Sequence, residues 1–284
     1  MTDTGERIGV IAGSGDLPVI VARCLADAGR DTYVAALKNA ADPSLENEAW
    51  ETGWYELYSL QGLLEGLKLA GVSKVVLAGK VGHGEVFSTS KFDGLLMDFL
   101  QKLKDHRPST LLGGLVDLLA GNGLPVVPLT DIAPELMPAA GHVAGPALRR
   151  EQSADLELGW RIARGIADLD IGQTAIVKGG AVVAVEAMEG TDLAIERAGI
   201  ISRGGLTAVK LAASDHDLRY DVPTVGVDTI ENLIEAGCSL LAIEADRSIM
   251  LSADRVTELC ESAGITLLAC REAQDGSVHC PETL

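Results

Sequence analysis

The chain is poor in aromatic residues, with ten in 284, and it has no closely spaced cysteines. Cys24, Cys238, Cys260, Cys270 and Cys280 are scattered singly, which excludes the paired spacings of zinc sites and redox motifs and reads as reduced thiols, mostly in the core. Basic residues are also scarce. The 23 Lys and Arg against 41 Asp and Glu leave a net charge of −18, which excludes a broad electrostatic grip on nucleic acid or on an anionic lipid surface. No run reaches the roughly 18 apolar residues of a membrane span. The opening MTDTGERIGVIAG lacks the basic-then-apolar order of a signal peptide, so a cytoplasmic protein is expected. Missing too are the GxxxxGK(S/T) phosphate loop, the GxSxG elbow and any His-rich dimetal pattern. With five histidines dispersed at 83, 106, 142, 216 and 279, any catalysis must lean on carboxylates.

What is present is a rhythm. Residues 8–12 are an apolar run ending at Gly13-Ser14-Gly15, and Pro18 and Gly29 frame the helix that follows. A strand at 32–37, a helix at 60–71 and a third strand at 74–78 complete an alternation that predicts an α/β fold with a doubly wound sheet. A helical pattern over 92–123 breaks at Pro108, and 126–129 reads as a strand. Prolines at 134, 138 and 146 with glycines at 141 and 145 mark a boundary. The expected organisation is an N-terminal domain over 1–133, a linker over 134–146 and a C-terminal α/β domain over 147–284. In the second domain a helix at 153–169 precedes two apolar runs around Gly179-Gly180, a two-residue hairpin signal. A short helix opens at Thr191 or Asp192. Strands at 207–212, 240–245 and 265–269 then alternate with helices at 229–236 and 252–264, the last capped by Ser252.

Four stretches carry chemistry. The glycines of GVIAGSGDLP, Gly13 and Gly15, let a backbone approach a phosphate or a ribose at a helix N-terminus, although a tight turn explains them as well. A nicotinamide site is disfavoured, because the third glycine of that motif falls on Pro18 and the second strand ends at Leu37-Lys38 without an acid. Gly79 and Lys80, at the next strand end, can share a crevice with Gly13, with Lys80 meeting a phosphate; a solvated lysine is the plain alternative, and His83 reads as an exposed loop residue. The third stretch comprises two acidic clusters, 170–173 (DIGQ) and 186–192 (EAMEGTD). The fourth is KLAASDHDLRYDVPTVG, 210–226, in which Asp215, Asp217, Arg219 and Asp221 alternate with other residues. If extended, it would put all four charges on one face. A solvated acidic loop is one reading. A pocket for Mg²⁺, which takes one or two carboxylates and fills its remaining sites with water and phosphate oxygens, is the other, with Asp217, Asp221, Glu189 and Asp192 as candidates.

The combination IAGSGDLP, LDIGQTAIVKGGAVVAVEAMEGTDLAIERAG and DLRYDVPTVGVDTI resembles the LpxI family of UDP-2,3-diacylglucosamine hydrolases. The resemblance implies a Rossmann-like N-terminal domain with a parallel sheet, a family-specific α/β C-terminal domain, a homodimer through the C-terminal half, and Mg²⁺-dependent cleavage of a glycolipid nucleotide to 2,3-diacylglucosamine 1-phosphate and UMP. It implies that Asp221 is the essential aspartate; the mechanism expected here makes Asp221 metal ligand or general base, with Asp217 and Arg219 beside it as catalytic residues. Glu189 and Asp192 join Asp221 as expected metal ligands. Gly13, Gly15, Gly79, Lys80, Gln173, Thr191 and Lys210 are the expected substrate contacts. Transient contact with the inner membrane surface follows from such a substrate. The chain departs from the family's K-x-x-K-P-x-Q-D run at Ala213, Ser214 and His216, while keeping Lys210 and Asp217. It also departs at Lys80-Val81-Gly82-His83-Gly84 and at Arg107-Pro108-Ser109-Thr110. These departures motivate a second reading, a diverged binder of the nucleotide sugar or acyl sugar; a hydrolase of a related UDP-sugar is a third.

Overall fold

The computed structural model describes residues 6–47, 50–81, 92–105 and 107–280. Residues 82–84 of the departure at 80–84, His83 among them, lie outside the described residues, as does His106. The described chain falls into two compact units, the first running to Ala133 and including Leu218–Tyr220, the second made of Pro134–Asp217 and the chain from Asp221 onward.

In the first unit, β1 (Arg7–Ala12), β2 (Thr32–Leu37), β3 (Glu51–Tyr55) and β4 (Val72–Ala78) form a parallel sheet in the order β3-β2-β1-β4. The apolar runs are continuous because the central strands are buried on both faces, as a parallel sheet requires. Helix α1 (Leu17–Asp27) packs on β1, β2 and β4, and α2 (Leu60–Leu69) on β2, β3 and β4. Leucines 60, 63, 64 and 67 recur at helical spacing and form the buried stripe of α2. They join α3 (Gly94–Lys102) and α4 (Pro108–Gly121) in one core with Ile11, Tyr33 and Val75. Tyr220 packs against this same core. Pro108 opens α4, where a missing N–H costs nothing.

The run at 126–129 does not form a strand. Val126 makes a single bridge to Val75, with Val75 N donating to Pro125 O at 3.0 Å and Val127 N to Val75 O at 2.9 Å. Prolines 125 and 128 have no N–H to extend that ladder. Leu129 instead starts the one-turn helix α5 (Leu129–Ile132).

The second unit is a mixed sheet. β10 (Cys238–Glu244) lies parallel to β8 (Leu206–Lys210) and β12 (Thr266–Glu272), β6 (Thr174–Lys178) is antiparallel to β8, and β7 (Ala181–Val185) closes that edge. β5 (Gly141–Ala144), inside the stretch expected as a linker, pairs antiparallel with β12, as does β13 (Val278–His279). The pleat sorts the core into two. Leu206, Ala208, Leu241 and Ile243 face α7 (Thr191–Ile201), α8 (Val227–Ala236) and α9 (Ala253–Ala263). Val209, Leu211, Leu240 and Ala242 face Leu156, Trp160 and Ala163 of α6 (Arg150–Asp168). Gly179 and Gly180 both take positive φ, 56° and 77°, in the β6–β7 turn. The buried Asp155 carboxylate pins that turn by accepting their N–H groups at 2.8 and 2.7 Å.

Two further expectations are corrected here. Cys270 and Cys280 are joined in a disulfide, because the hairpin of β12 and β13 brings their Cα atoms to 4.5 Å; Cys24, Cys238 and Cys260 remain thiols. Ser252 stands at the start of α9 but at φ 51°, without a side-chain cap.

Candidate active site

In the first unit, the residues drawn from GVIAGSGDLP and the β4 end come together through their backbones. Gly13 N donates to Ala78 O at 2.8 Å, Ser14 N to Lys80 O at 2.8 Å, and Lys80 N to Ser14 O at 3.0 Å. A Cβ on Gly13 would stand 2.4 Å from Lys80 O, and one on Gly79, at φ 87°, 2.6 Å from Ser14 O. These two glycines therefore serve a close crossing of two loops. Gly15, at φ 90°, has open space around it, and the Lys80 side chain is exposed.

In the second unit, the chain is laid out so that the carboxyl ends of β7, β8 and β10 and the amino end of antiparallel β6 share one edge of the sheet, where ligands of α/β folds collect. The acidic segment leaves β8 at that edge. It is not extended: it turns at residues 214–215 and again at 218–219, so the four alternating charges do not share a face. Arg219, within Leu218–Tyr220, groups with the first unit. Asp217 is half-buried in the loop before it.

Asp221 then adopts φ 51°, a left-handed conformation that Asp tolerates better than most residues. Gln173 holds it there. The Gln173 Nε2 donates to Asp221 Oδ2 at 3.0 Å and to its carbonyl at 3.2 Å. Gln173 is itself placed by its carbonyl, which accepts Leu211 N at 2.9 Å, and by a long contact from its N–H to Glu186 Oε2 at 3.4 Å. Gly172 allows this, since a Cβ there would stand 2.3 Å from Glu186 O.

Asp221 reaches the surface, yet protein crowded around its carboxyl group raises the pKa above the ordinary aspartate value through lost hydration. His216 and Lys210 pull it down, and the negative charges of Glu186 and Asp170 push it up. Lys210 is 6 % exposed, and its Nζ donates to Thr191 Oγ1 at 2.6 Å, placing an ammonium at the first turn of α7. Sequence reasoning did not single out Glu186, Asp170 or His216 as neighbours of Asp221. Only Glu186 and Asp170 stood in the acidic clusters, and what gathers them is the antiparallel β6.

Glu189 is engaged elsewhere: Arg197 Nη2 donates to its Oε1 at 2.5 Å and to Val185 O at 2.9 Å. Hydrogen bonding from its own backbone N–H, then from Arg197, lowers its pKa. Asp192 lies exposed in the first turn of α7. Among the described residues no group of three or more His, Cys, Asp or Glu is placed to hold a metal ion. The charges around Asp221 are mixed, with His216 and Lys210 acting on it ahead of Glu186 and Asp170, so a divalent cation there would have one protein carboxylate and would fill its remaining positions with water and diphosphate oxygens.

The LpxI N-terminal domain model matches residues 7–136 and the LpxI C-terminal domain model residues 139–268. A protein of Caulobacter vibrioides named UDP-2,3-diacylglucosamine pyrophosphatase LpxI is 30% identical over 276 residues, covering 93% of this chain and 97% of that one. Two solved structures align faintly. A nucleoside-diphosphate-sugar epimerase from Pseudomonas aeruginosa is 12% identical over 96% of this chain and 91% of its own, at a TM-score of 0.30. A biotin carboxylase domain of Hydrogenobacter thermophilus 2-oxoglutarate carboxylase is 14% identical over 62% and 35%, at 0.24. Neither likeness is close enough to bear on function. The two domain matches and the near full-length relative are, and the chain belongs to the LpxI family.

Proposed function

We propose that this chain hydrolyses the pyrophosphate bond of UDP-2,3-diacylglucosamine in lipid A biosynthesis, giving 2,3-diacylglucosamine 1-phosphate and UMP with the help of Mg²⁺. The observation that carries the reading is the Asp221 carboxylate, held by Gln173 beside a buried lysine at the sheet edge. The relative's name supports the substrate.

In this reading a water adds to the phosphorus nearer the sugar and the bridging oxygen departs with UMP. Asp221 takes the water's proton. Its raised pKa makes it a better base than a solvated aspartate. Gln173 fixes which oxygen faces the water, and Lys210, steadied by Thr191, offsets phosphate charge. Asp217 supports as a second acid and Arg219 as a second cation. Bound Mg²⁺, held by Asp221 with Asp192 or a displaced Glu189, would supply charge neutralisation of the diphosphate. The acidity of the whole chain makes that neutralisation more necessary. Gly13, Gly15, Gly79 and Lys80 are the proposed contacts of the first unit.

The same reading takes the protein as a cytoplasmic homodimer that meets the inner membrane surface transiently. No described helix is long and apolar enough to cross a membrane. The exposed Leu193, Ile200 and Ile201 of α7 offer apolar surface for such contacts.

The test is UMP release from UDP-2,3-diacylglucosamine with and without Mg²⁺, in the native chain and in Asp221→Ala. The expected result is metal-dependent turnover that Asp221→Ala abolishes while still binding substrate. Turnover retained in Asp221→Ala refutes its role. Tight binding without UMP in the native chain favours the diverged binder, and turnover of UDP-sugars lacking acyl chains favours a related substrate.

A further inference from the structure

The loop that carries Asp221 is gripped by its backbone, and the grip comes from charged side chains that the proposed reaction does not use. Residues 212–214, which follow β8, have no strand partner for their carbonyls; Ala213 O accepts His216 N at 3.2 Å, and the carbonyl of the buried Ala212 needs a donor. Arg164 of α6 donates to Ala212 O. Arg247 Nη2 donates to Ala213 O at 2.8 Å and approaches Ser214 O at 3.5 Å. Asp168 accepts Ser214 N at 2.7 Å and Ser214 Oγ at 3.0 Å.

Glu244, the last residue of β10 and 6 % exposed, ties the two arginines together. Its Oε1 accepts from Arg164 Nη2 at 2.7 Å and from Arg247 Nη1 at 3.3 Å. The turn that begins at Glu244 also holds the far end of the loop. Through β11 (Ile249–Met250), paired with β9 (Thr224–Val225), Ile249 N donates to Pro223 O at 2.8 Å and Leu251 N to Val225 O at 2.9 Å. One short segment, 244–251, thus clasps the loop before Asp217 and after Asp221. A partly buried cluster of two arginines with Glu244 and Glu272, the latter accepting from Arg164 Nε at 3.2 Å, is weak evidence for stability, since apolar residues often fill such space as well. What apolar residues would not supply is donors for consecutive carbonyls.

We propose that Arg247, joined through Glu244 to Arg164, is a positioning residue that fixes the backbone on which Asp221 meets the substrate. The choice of Asp221 rests on the function proposed above. The brace acts on geometry, so its loss lowers kcat while leaving binding nearly intact, and a misplacement of about 1 Å is enough for a loss of about 10²-fold.

The experiment compares Arg247→Ala and Arg247→Lys with the native chain by kcat and KM for UMP release, thermal melting, and amide hydrogen exchange over 211–225. Arg255→Ala, an exposed arginine paired with Glu258, serves as the control with native kcat. Expected is a loss of about 10²-fold in kcat for Arg247→Ala with little change in KM, a smaller loss for Arg247→Lys, and partial rescue of Arg247→Ala by added guanidinium at millimolar levels. Exchange rises over 211–225 and not in β6. The proposal is overturned by native kcat in Arg247→Ala, or by a loss without rescue that comes with faster exchange throughout the second unit in both variants. If the native chain releases no UMP, the proposed function fails, and the exchange data still judge the brace: unchanged protection of 211–225 in Arg247→Ala overturns it.

Discussion

Gly172→Ala tests whether Gln173 transmits position to Asp221. The added Cβ would stand 2.3 Å from Glu186 O and 2.7 Å from its carbonyl carbon. Carbon and oxygen approach to about 3.3 Å at closest, so the loop must move away from the end of β7 by about 1 Å. Neither side gives easily. Glu186 N is committed to Thr174 O at 2.8 Å, and Gln173 O to Leu211 N at 2.9 Å. Overpacking of this kind costs about 1–3 kcal/mol, which for a unit of this size lowers the melting temperature by roughly 2–12 °C. The displacement passes to Gln173 Nε2 and from it to the Asp221 carboxylate, so kcat should fall about 10²-fold. Gly165→Ala is the matched control. That glycine lies in the interior of α6 with nothing within 4 Å of its would-be Cβ, so alanine should add about 0.5–1 kcal/mol of stability and leave kcat alone. UMP release and thermal melts on the two variants decide the matter. A Gly172→Ala protein with native kcat refutes the link between Gln173 and the chemistry.

Two other outcomes follow from the same site. Because the Asp221 pKa is raised in the folded state, its contribution to stability is present below the ordinary value near 3.9 and is lost as pH rises through the raised one. Asp221→Asn should therefore melt at or above the native protein at pH 7 while losing hydrolysis, the gap closing as pH falls toward about 4; melts run without divalent cations across that range check it, and an Asn variant less stable at pH 7 contradicts the crowding of that carboxyl. Thr191→Val removes an acceptor from the buried Lys210 ammonium, so denaturant unfolding should show a loss of about 1.5–3 kcal/mol, with Thr191→Ser close to native.

How far the sequence could be read depended on whether a feature was local. The long apolar runs and the Gly179-Gly180 turn announce β1, β2, β6 and β7 because burial and turn geometry act within a few residues. β3, ETGWY, is half-exposed at the sheet edge and lacks an apolar run, so nothing local marks it. β9, β11 and β13 are two residues each, too short to show a period. The alternation of charges in 215–221 looked like a strand face and was not, because two turns interrupt it. The Cys270–Cys280 bond depends on a hairpin whose second strand is two residues long. The site divides in the same way. Asp221, Gln173, Lys210 and Thr191 stood out in motifs, whereas the influence of Glu186 and Asp170 on Asp221 arises from β6 running antiparallel to β8, and that of His216 from the turns of the loop it shares with Asp221.

That division also accounts for where this chain departs from its family's pattern in 210–217. Ala213 and Ser214 stand where that pattern has a lysine and a proline: the Ala213 carbonyl accepts from His216 N and from Arg247, whereas Ser214 gives both its amide and its hydroxyl to Asp168. At 213 these contacts are made by the backbone alone, and at 214 the side chain adds one of its own. Lys210, Gln173, Thr191 and Asp221 contribute side-chain atoms to their contacts. His216 is the departure with an electrostatic consequence, because it places a group able to carry positive charge where the family has a neutral glutamine, and that charge opposes the crowding that raises the Asp221 pKa. The positions of this loop therefore sort by what each supplies, a backbone carbonyl at 213, an amide and a hydroxyl at 214, and at 216 a charge that acts on the Asp221 carboxylate.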